Sequence, residues 1–217
     1  MSLAIFDLDN TLISGDSDYE WGQFLVENHL VDGKEYEQQN ARFYEQYKAG
    51  TLDILSFLEF SLKPLAQHDV AQLDEWHEKF MQQKILPMIG DKARALVEKH
   101  RLANDTLVMI TATNHFVTAP IAREFDIAHL IATDPEMKNG RYTGEVSGIP
   151  CFQEGKVDRI QSWLESNKLS LEDSWFYSDS HNDLPLLNLV RHPIAVNPDT
   201  QLKAEAERLH WPIMTLY

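Results

Sequence analysis

Two aspartates directly follow an apolar run near the start of the chain. The run Leu3–Phe6 is predicted to form the first buried strand of a sheet, and Asp7 and Asp9 come just after it. Carboxylates at the end of a buried strand are costly unless a charged group meets them. Two neighbouring carboxylates can bind a divalent cation, or can act as a nucleophile and a general acid/base. This pair is therefore where chemistry is first expected.

Polar side chains also follow two later apolar runs. The predicted strands are 106–111 and 174–179, and helices alternate with them, which indicates a parallel sheet. Ligands of such sheets bind at the carboxyl ends of the strands. The residues expected at that edge are Thr111, Ala112, Asp179, Asn182 and Asp183. Lys156, at the start of a predicted helix, is the one obvious cation for this cluster.

This combination of residue types favours phosphoryl chemistry. Several carboxylates held together cannot all ionise unaided, and Mg²⁺ is the cation that bridges carboxylates to a phosphate. A hydroxyl, a lysine and a turn of backbone N–H groups are what a phosphate needs. One aspartate can attack phosphorus while the other serves as general acid and base.

Four motifs in order resemble those of the haloacid dehalogenase (HAD) superfamily. They are "FDLDNT", the strand that ends in Thr111, Lys156, and "DSHND". The helical segment inserted after the first motif is similar to subfamily IB, the phosphoserine phosphatase-like branch. The resemblance covers nearly the whole chain, including "YTGEV" and "AVNPD". Two positions differ: Ser178-Asp179-Ser180 stands where Gly-Asp-Gly is common, and Thr111 where serine is more usual.

The resemblance implies a role for each motif residue. Asp7 would be the nucleophile and Asp9 the general acid/base. Mg²⁺ would be bound by Asp7, Asp179 and the backbone carbonyl of Asp9. The phosphate would be held by Thr111, Ala112, Lys156 and Asn182, and Asp183 would support the metal shell or Lys156.

The predicted fold is a doubly wound parallel α/β sheet, the Rossmann-like HAD core, with a helical cap domain inserted after strand 1. Four stretches of helical spacing fill the region from about residue 17 to residue 85. The predicted division is a core of residues 1–14 and 87–217 and a cap of residues 15–86. The pair Asn139-Gly140 predicts a hairpin, and 193–196 is the last strand expected.

Composition limits the partners. The chain has 217 residues and a formal net charge of −15, which argues against nucleic acid as a partner. The single cysteine, Cys151, excludes an intrachain disulfide and fits a reducing compartment. No signal peptide and no run of transmembrane length is recognisable, so the expectation is a cytoplasmic protein that binds no membrane. Oligomeric state is not readable.

The expected reaction is Mg²⁺-dependent hydrolysis of a small phosphomonoester through an aspartyl-phosphate. A phosphotransferase using the same intermediate and a non-catalytic phospholigand-binding protein are the alternatives. Phosphoserine is the substrate that the branch implies. The acids Asp16, Asp18 and Glu20 suit a cationic amino-alcohol phosphate such as histidinol phosphate, although acids also favour a helix N-terminus. Asp16 lies where the branch often has a substrate-reading acid, and Arg42 is a weak candidate for a substrate carboxylate.

Overall fold

The computed structural model describes residues 2–217, in which strands and helices alternate after an initial helical insertion. The strands are β1 (Leu3–Phe6), β2 (Thr106–Asn114), β3 (His129–Lys138), β4 (Arg141–Ser147), β5 (Ser174–Ser178), β6 (His192–Val196) and β7 (Ile213–Met214). The α-helices are α1 (Ser17–Glu27), α2 (Gly33–Lys48), α3 (Ile54–Gln67), α4 (Val70–Phe80), α5 (Asp91–Leu102), α6 (His115–Glu124), α7 (Glu154–Asn167), α8 (Leu184–Leu187) and α9 (Thr200–Leu209). Wide helical turns at Leu8–Leu12 and Met81–Ile85 connect these elements.

All seven strands form one sheet in the order β4-β3-β2-β1-β5-β6-β7. Neighbouring strands are parallel except β3 and β4, which are antiparallel. The first strand of the chain therefore lies at the centre, between β2 and β5. The carboxyl ends of these three strands lie side by side, which is where a doubly wound sheet binds its ligands.

Two hydrophobic cores cover the two faces of the sheet. In β1, Ala4 and Phe6 pack into one core, and Leu3 and Ile5 pack into the other. The first core contains buried side chains of α5 and α6, and the second contains those of α7, α8 and α9. Helices on both faces confirm the predicted doubly wound α/β fold.

The helices α1–α4, here called the inserted helices, lie between β1 and α5 in the chain, as predicted. Helix α1 crosses α2 closely at Gly22, where a Cβ would lie 2.5 Å from Asn40 Nδ2. Asn40 uses this approach to donate a hydrogen bond of 3.0 Å to the carbonyl of Tyr19. Buried side chains of α1, α3 and α4 pack into the same core as α5 and α6. The division at residues 14/15 and 86/87 stays a prediction.

The structure extends some of the predicted elements and contains others that were not predicted. Strand β2 continues past Thr111 to Asn114, because its pairing with β3 resumes at Asn114 after an irregularity. The first arm of the predicted hairpin belongs to a longer strand, β3, which pairs with β2 first and then with β4. Asn139 and Gly140 both have positive φ, as the predicted hairpin turn requires. Helix α9 and strand β7 were not predicted.

No helix of residues 2–217 is both long enough and apolar enough to cross a lipid bilayer.

Candidate active site

Asp7 is joined to Lys156 at the carboxyl end of β1. The distance from Lys156 Nζ to Asp7 Oδ1 is 2.9 Å, and both side chains are buried. The distance from Lys156 Nζ to Asp183 Oδ1 is 2.7 Å. The other carboxylate oxygen of Asp183 accepts a hydrogen bond of 2.6 Å from Ser178 Oγ. Burial alone would lower the pKa of Lys156, but Asp183 and Asp7 raise it above its ordinary value, so the ammonium keeps its charge.

The position of Lys156 depends on a tight backbone approach at the start of α7. A Cβ on Gly155 would lie 2.2 Å from the carbonyl oxygen of Pro150, so only glycine fits there. Gln153, just before the helix, has φ of 49° and donates a hydrogen bond of 3.0 Å to Asn182 Oδ1. The turn therefore fixes both the lysine and the segment after β5.

Asp9 accepts hydrogen bonds from two different elements. Its Oδ1 accepts from the backbone N–H of Ser17 at 2.6 Å, at the start of α1. Its Oδ2 accepts from Thr113 Oγ1 at 2.8 Å and from Thr111 Oγ1 at 3.3 Å, both on β2. Burial raises the pKa of Asp9, and the donors on Ser17, Thr113 and Thr111 oppose that shift.

Asp179 follows β5 and accepts a hydrogen bond of 3.1 Å from Thr11 Oγ1. Burial raises the pKa of Asp179 well above its ordinary value, and the negative charges of Asp7 and Asp183 raise it further. Burial also raises the pKa of Asp7, with Asp183 and Asp9 adding to the shift and Lys156 opposing it. Within residues 2–217 this cluster holds four buried aspartates and one lysine, so it has an excess of negative charge.

The donor set for a metal combines side chains with backbone. In the described part of the chain, no three His, Cys, Asp or Glu side chains are arranged to hold a metal ion by themselves. The negative charge of Asp7 raises the pKa of Asp179, and Asp9, whose backbone carbonyl is the third expected donor, follows Asp7 by two residues. All of these donors are oxygens, which fits a hard cation that retains part of its water shell.

A cavity lies between this cluster and the inserted helices. Asp7, Asp9, Thr111 and Ala112 line it on the side of the sheet. Asp16 and Asp18 line it on the side of α1, and among the described residues no lysine, arginine or histidine contributes to its wall. The aromatic residues of the wall are Tyr19, Phe43, Tyr44, Tyr47, Phe57 and Phe152. The wall of the cavity itself therefore suits an apolar or cationic group.

Five of the predicted residues do not line the cavity: Lys156, Asp179 and Asp183, which belong to the buried cluster, and Arg42 and Asn182. Arg42 is exposed on α2, where its guanidinium lies 5.0 Å from the ring centre of Phe43. Asn182 is buried, and its amide donates to the carbonyl of Tyr47 at 3.3 Å and accepts from Gln153. Asn182 thus connects β5 with α2 in this structure.

Several site residues escaped the sequence reasoning. Thr113, Ser17, Thr11 and Ser178 each donate to one of the four buried aspartates. The sequence does contain a signal for Thr113: it is two residues after Thr111, and residues two apart in a strand point to the same side. Thr11 lies in the turn Leu8–Leu12, and Ser17 and Ser178 lie at an element end, where a sequence pattern does not specify the geometry.

The match to known proteins covers most of the chain. The model of the haloacid dehalogenase-like hydrolases matches residues 4–188. The chain belongs to this family. Residues 4–188 include Asp7, Asp9, Thr111, Lys156 and Asp179, so the HAD resemblance seen in the sequence is confirmed.

Similarity to a curated HAD phosphatase extends over the full length. The chain is 46% identical over 217 residues to the histidinol-phosphatase of Neisseria meningitidis serogroup C (strain 8013), and the alignment covers 98% of each chain. A crystal structure of a protein with unknown function from Bordetella pertussis Tohama I superposes with a TM-score of 0.93 at 46% identity, over 99% of this chain and 98% of that one. The chain is accordingly an enzyme, a phosphatase of the HAD-like hydrolases.

The fold is also that of phosphoserine phosphatase. A structure of that enzyme as a phospho-aspartyl intermediate analogue superposes with a TM-score of 0.73 at 17% identity. The superposition covers 100% of this chain and 93% of that one. The predicted phosphoserine phosphatase-like architecture, a parallel sheet with helices inserted after β1, is confirmed.

Proposed function

We propose that this HAD phosphatase hydrolyses the phosphomonoester of a cationic amino alcohol, histidinol phosphate, with Mg²⁺ and through a phosphorylated Asp7. The observation that carries the proposal is the joint position of Asp7 and Asp9 on the wall of one cavity, with Lys156 Nζ 2.9 Å from Asp7 Oδ1. A carboxylate nucleophile, a second carboxyl group and a fixed cation meet at one point, as phosphoryl transfer requires.

Asp7 is the proposed nucleophile. A carboxylate oxygen of Asp7 forms a bond to phosphorus while the bond from phosphorus to the substrate's alcohol oxygen breaks. Lys156 holds the charged form of Asp7 and faces the oxygens of the transferred group. Asp183 and Ser178 keep Lys156 in place from the opposite side.

Asp9 is the proposed general acid and base. Its pKa is raised by burial, which favours the protonated form that can give a proton to the leaving alcohol oxygen. The resulting carboxylate then takes a proton from water as the water oxygen bonds to phosphorus and the bond to Asp7 breaks. Inorganic phosphate leaves and Asp9 is protonated again. Thr113, Thr111 and the N–H of Ser17 hold the charged form during the cycle.

Thr111, Ala112 and Lys156 are the proposed phosphate-binding residues. Thr111 and Ala112 line the cavity beside Asp7 and Asp9, and the Thr111 hydroxyl, which donates to Asp9 at 3.3 Å, would turn to the phosphate. Asn182 keeps this role as a prediction only, because its amide is used by Gln153 and Tyr47 in this structure.

Asp7, Asp179 and the backbone carbonyl of Asp9 are the proposed Mg²⁺ ligands. The excess of buried carboxylates over cations and the all-oxygen donor set fit this ion. When bound, Mg²⁺ would neutralise charge on the phosphoryl oxygens and on the cluster.

The cavity wall favours histidinol phosphate over phosphoserine. Phosphoserine has a carboxylate, yet the wall contributes aspartates and no basic side chain within residues 2–217. Arg42, the candidate partner for a carboxylate, is exposed outside the wall. The related chain of Neisseria meningitidis is named a histidinol-phosphatase. These observations support a substrate with positive charge at the end away from the phosphate.

Phosphate release by wild type and by Asp7→Asn tests this function, with histidinol phosphate and phosphoserine as substrates, with Mg²⁺ and with a chelator. We expect Mg²⁺-dependent release that prefers histidinol phosphate, and its loss in Asp7→Asn without a change in melting temperature. Asp126→Asn is the matched control, because Asp126 is exposed and has positive φ, which asparagine tolerates. Substantial activity of Asp7→Asn would contradict the mechanism, and a preference for phosphoserine would contradict the substrate.

A further inference from the structure

Asp18 is buried without a partner for one of its oxygens. It lies in the first turn of α1 and is 8% exposed. Its Oδ2 has no hydrogen-bond partner among residues 2–217, and the side chain contributes to the cavity wall. An acid that only favours the helix dipole would remain solvated at the surface. A buried, unpaired carboxylate is costly and is therefore explained best by a ligand that supplies its partner.

Residues 2–217 supply no cation to the cavity wall beside Asp18. Lys84, a base that reaches α1, is held by Glu20 at 3.3 Å and by Glu27 at 2.8 Å. Burial raises the pKa of Asp18 to about 7, and the negative charge of Asp9 adds to the shift. The surroundings of Asp18 are therefore negative, and a positively charged ligand would be attracted there.

Asp16 is a weaker partner for such a ligand than Asp18. Its Oδ1 already accepts a hydrogen bond of 2.8 Å from the backbone N–H of Tyr19, as the N-cap of α1. Asp18 has no such role in the helix, and its position two residues later turns it toward the inside of the inserted helices. Of the two acids, Asp18 is the one that a ligand would complete.

Four aromatic rings line the same cavity as Asp18. Tyr19 and Tyr44 lie with ring centres 4.8 Å apart, and Phe43 and Phe57 lie 5.5 Å apart. Aromatic faces attract cations. A flat imidazolium can lie against such a face while its ring N–H reaches a carboxylate, so this combination suits a protonated ring.

We infer that Asp18 determines specificity by binding the protonated nitrogen heterocycle, an imidazolium, at the end of the substrate away from the phosphate. The inference rests on the proposed function, since the phosphate end must sit at Asp7 and Lys156. Asp18 Oδ2 accepts the ring N–H, and Tyr19, Tyr44 and Phe43 contact the ring faces. Asp18 does not take part in bond breaking.

Steady-state kinetics of Asp18→Asn with two substrates tests the inference. The substrates are histidinol phosphate and 2-amino-3-phenylpropyl phosphate, which keeps the ammonium group and has a neutral ring of similar size. For histidinol phosphate, kcat/KM should fall by roughly 30-fold or more, as for the loss of a buried charged partner. For 2-amino-3-phenylpropyl phosphate it should stay equal or rise, whereas an equal fall would assign Asp18 to the ammonium and overturn the inference. Asp126→Asn, at an exposed acid outside the cavity wall, should change neither value.

A binding measurement separates recognition from catalysis. Calorimetric titration with L-histidinol, which has no phosphate, should show binding to wild type that weakens by roughly tenfold or more in Asp18→Asn. Equal binding to both proteins, or an equal fall of kcat/KM for both substrates, would overturn the inference. Absence of phosphate release from every substrate by folded wild type would instead overturn the proposed function, and the titration would still decide the role of Asp18.

Discussion

At the scale of single residues, the site consists of carboxyl groups whose charge is disfavoured by burial. Asp7, Asp9 and Asp179 each have a raised pKa and lie within one cluster. Lys156 is the cation that contacts Asp7 directly. Such a cluster costs stability in the resting protein and provides binding energy for a positively charged group.

Asp18→Asn should stabilise the protein more as the pH rises. Burial raises the pKa of Asp18 from 3.8 to about 7, so its uncharged form supports folding at low pH and this support is lost as the pH rises through 7. Asparagine does not titrate, so the gain in unfolding free energy should grow by roughly 3 kcal/mol between about pH 5 and pH 8.5. Urea unfolding with a chelator and without substrate at about pH 5 and pH 8.5 measures it. A difference that is constant with pH would refute this prediction.

Thr113→Val should slow the reaction while the fold is retained. The hydroxyl donates the 2.8 Å bond to Asp9 Oδ2, and valine keeps the shape without the donor. A hydrogen bond to a charged group contributes enough free energy that its loss should lower kcat roughly tenfold or more. Thr118→Val is the matched control, because buried Thr118 donates to the carbonyl of Asn114 away from Asp9. An equal effect of the two substitutions would show that the effect is structural.

At the scale of elements, the turn before α7 positions the lysine. A Cβ on Gly155 would lie 2.2 Å from the carbonyl oxygen of Pro150. Because this oxygen belongs to the backbone, no change of side-chain rotamer can relieve the clash. The start of α7 would have to move, and Lys156 is the next residue.

Gly155→Ala should therefore reduce kcat as well as stability. Displacement of Lys156 by about an ångström would cost roughly 100-fold in kcat. Gly33→Ala is the comparison, since a Cβ there meets only Val26 Cγ1 at 3.7 Å, an ordinary contact. Kinetics and thermal unfolding of both variants measure the effect, and unchanged kcat in Gly155→Ala would contradict the proposed role of this turn.

Elements with a clear pattern could be predicted from the sequence, and elements set by tertiary pairing could not. The apolar runs of β1 and β5 and the spacing of α1–α4 are local signals, which placed Asp7 and Asp179 correctly at strand ends. Strand β7 has two residues, too few for a period, and exists because it pairs with β6. The extension of β2 depends likewise on its neighbour β3.

The residues of the site likewise divide into those that a sequence pattern predicts and those that depend on tertiary packing. Lys156 and Asp7 were predicted together because their residue types and order match a motif, and they meet at 2.9 Å. The burial of Asp18 follows from the packing of the inserted helices, so the sequence alone left open both a charged helix end and a contact with a cationic substrate. The bond from Thr113 to Asp9 depends on the irregular part of β2.

At the scale of the whole molecule, a bound divalent cation should raise the melting temperature. The four buried aspartates have one lysine between them, so Mg²⁺ would relieve repulsion only in the folded state. At about ten times the dissociation constant, the shift should be roughly 2–5 °C. Asp179→Asn should abolish the shift and Asp126→Asn should retain it. A shift of the same size in Asp179→Asn would exclude Asp179 as a ligand.

The central place of β1 in the sheet has a consequence for biosynthesis. Leu3 pairs with Thr106 on one side and with Ser174 on the other, so both partners of the first strand leave the ribosome long after it. The inserted helices can form during this interval, because their contacts are more local. During this interval β1, which Asp7 directly follows, has no partner strand on either edge. An apolar unpaired strand is prone to aggregation. Nascent chains released early would therefore depend on chaperones, and would have no assembled carboxylate cluster.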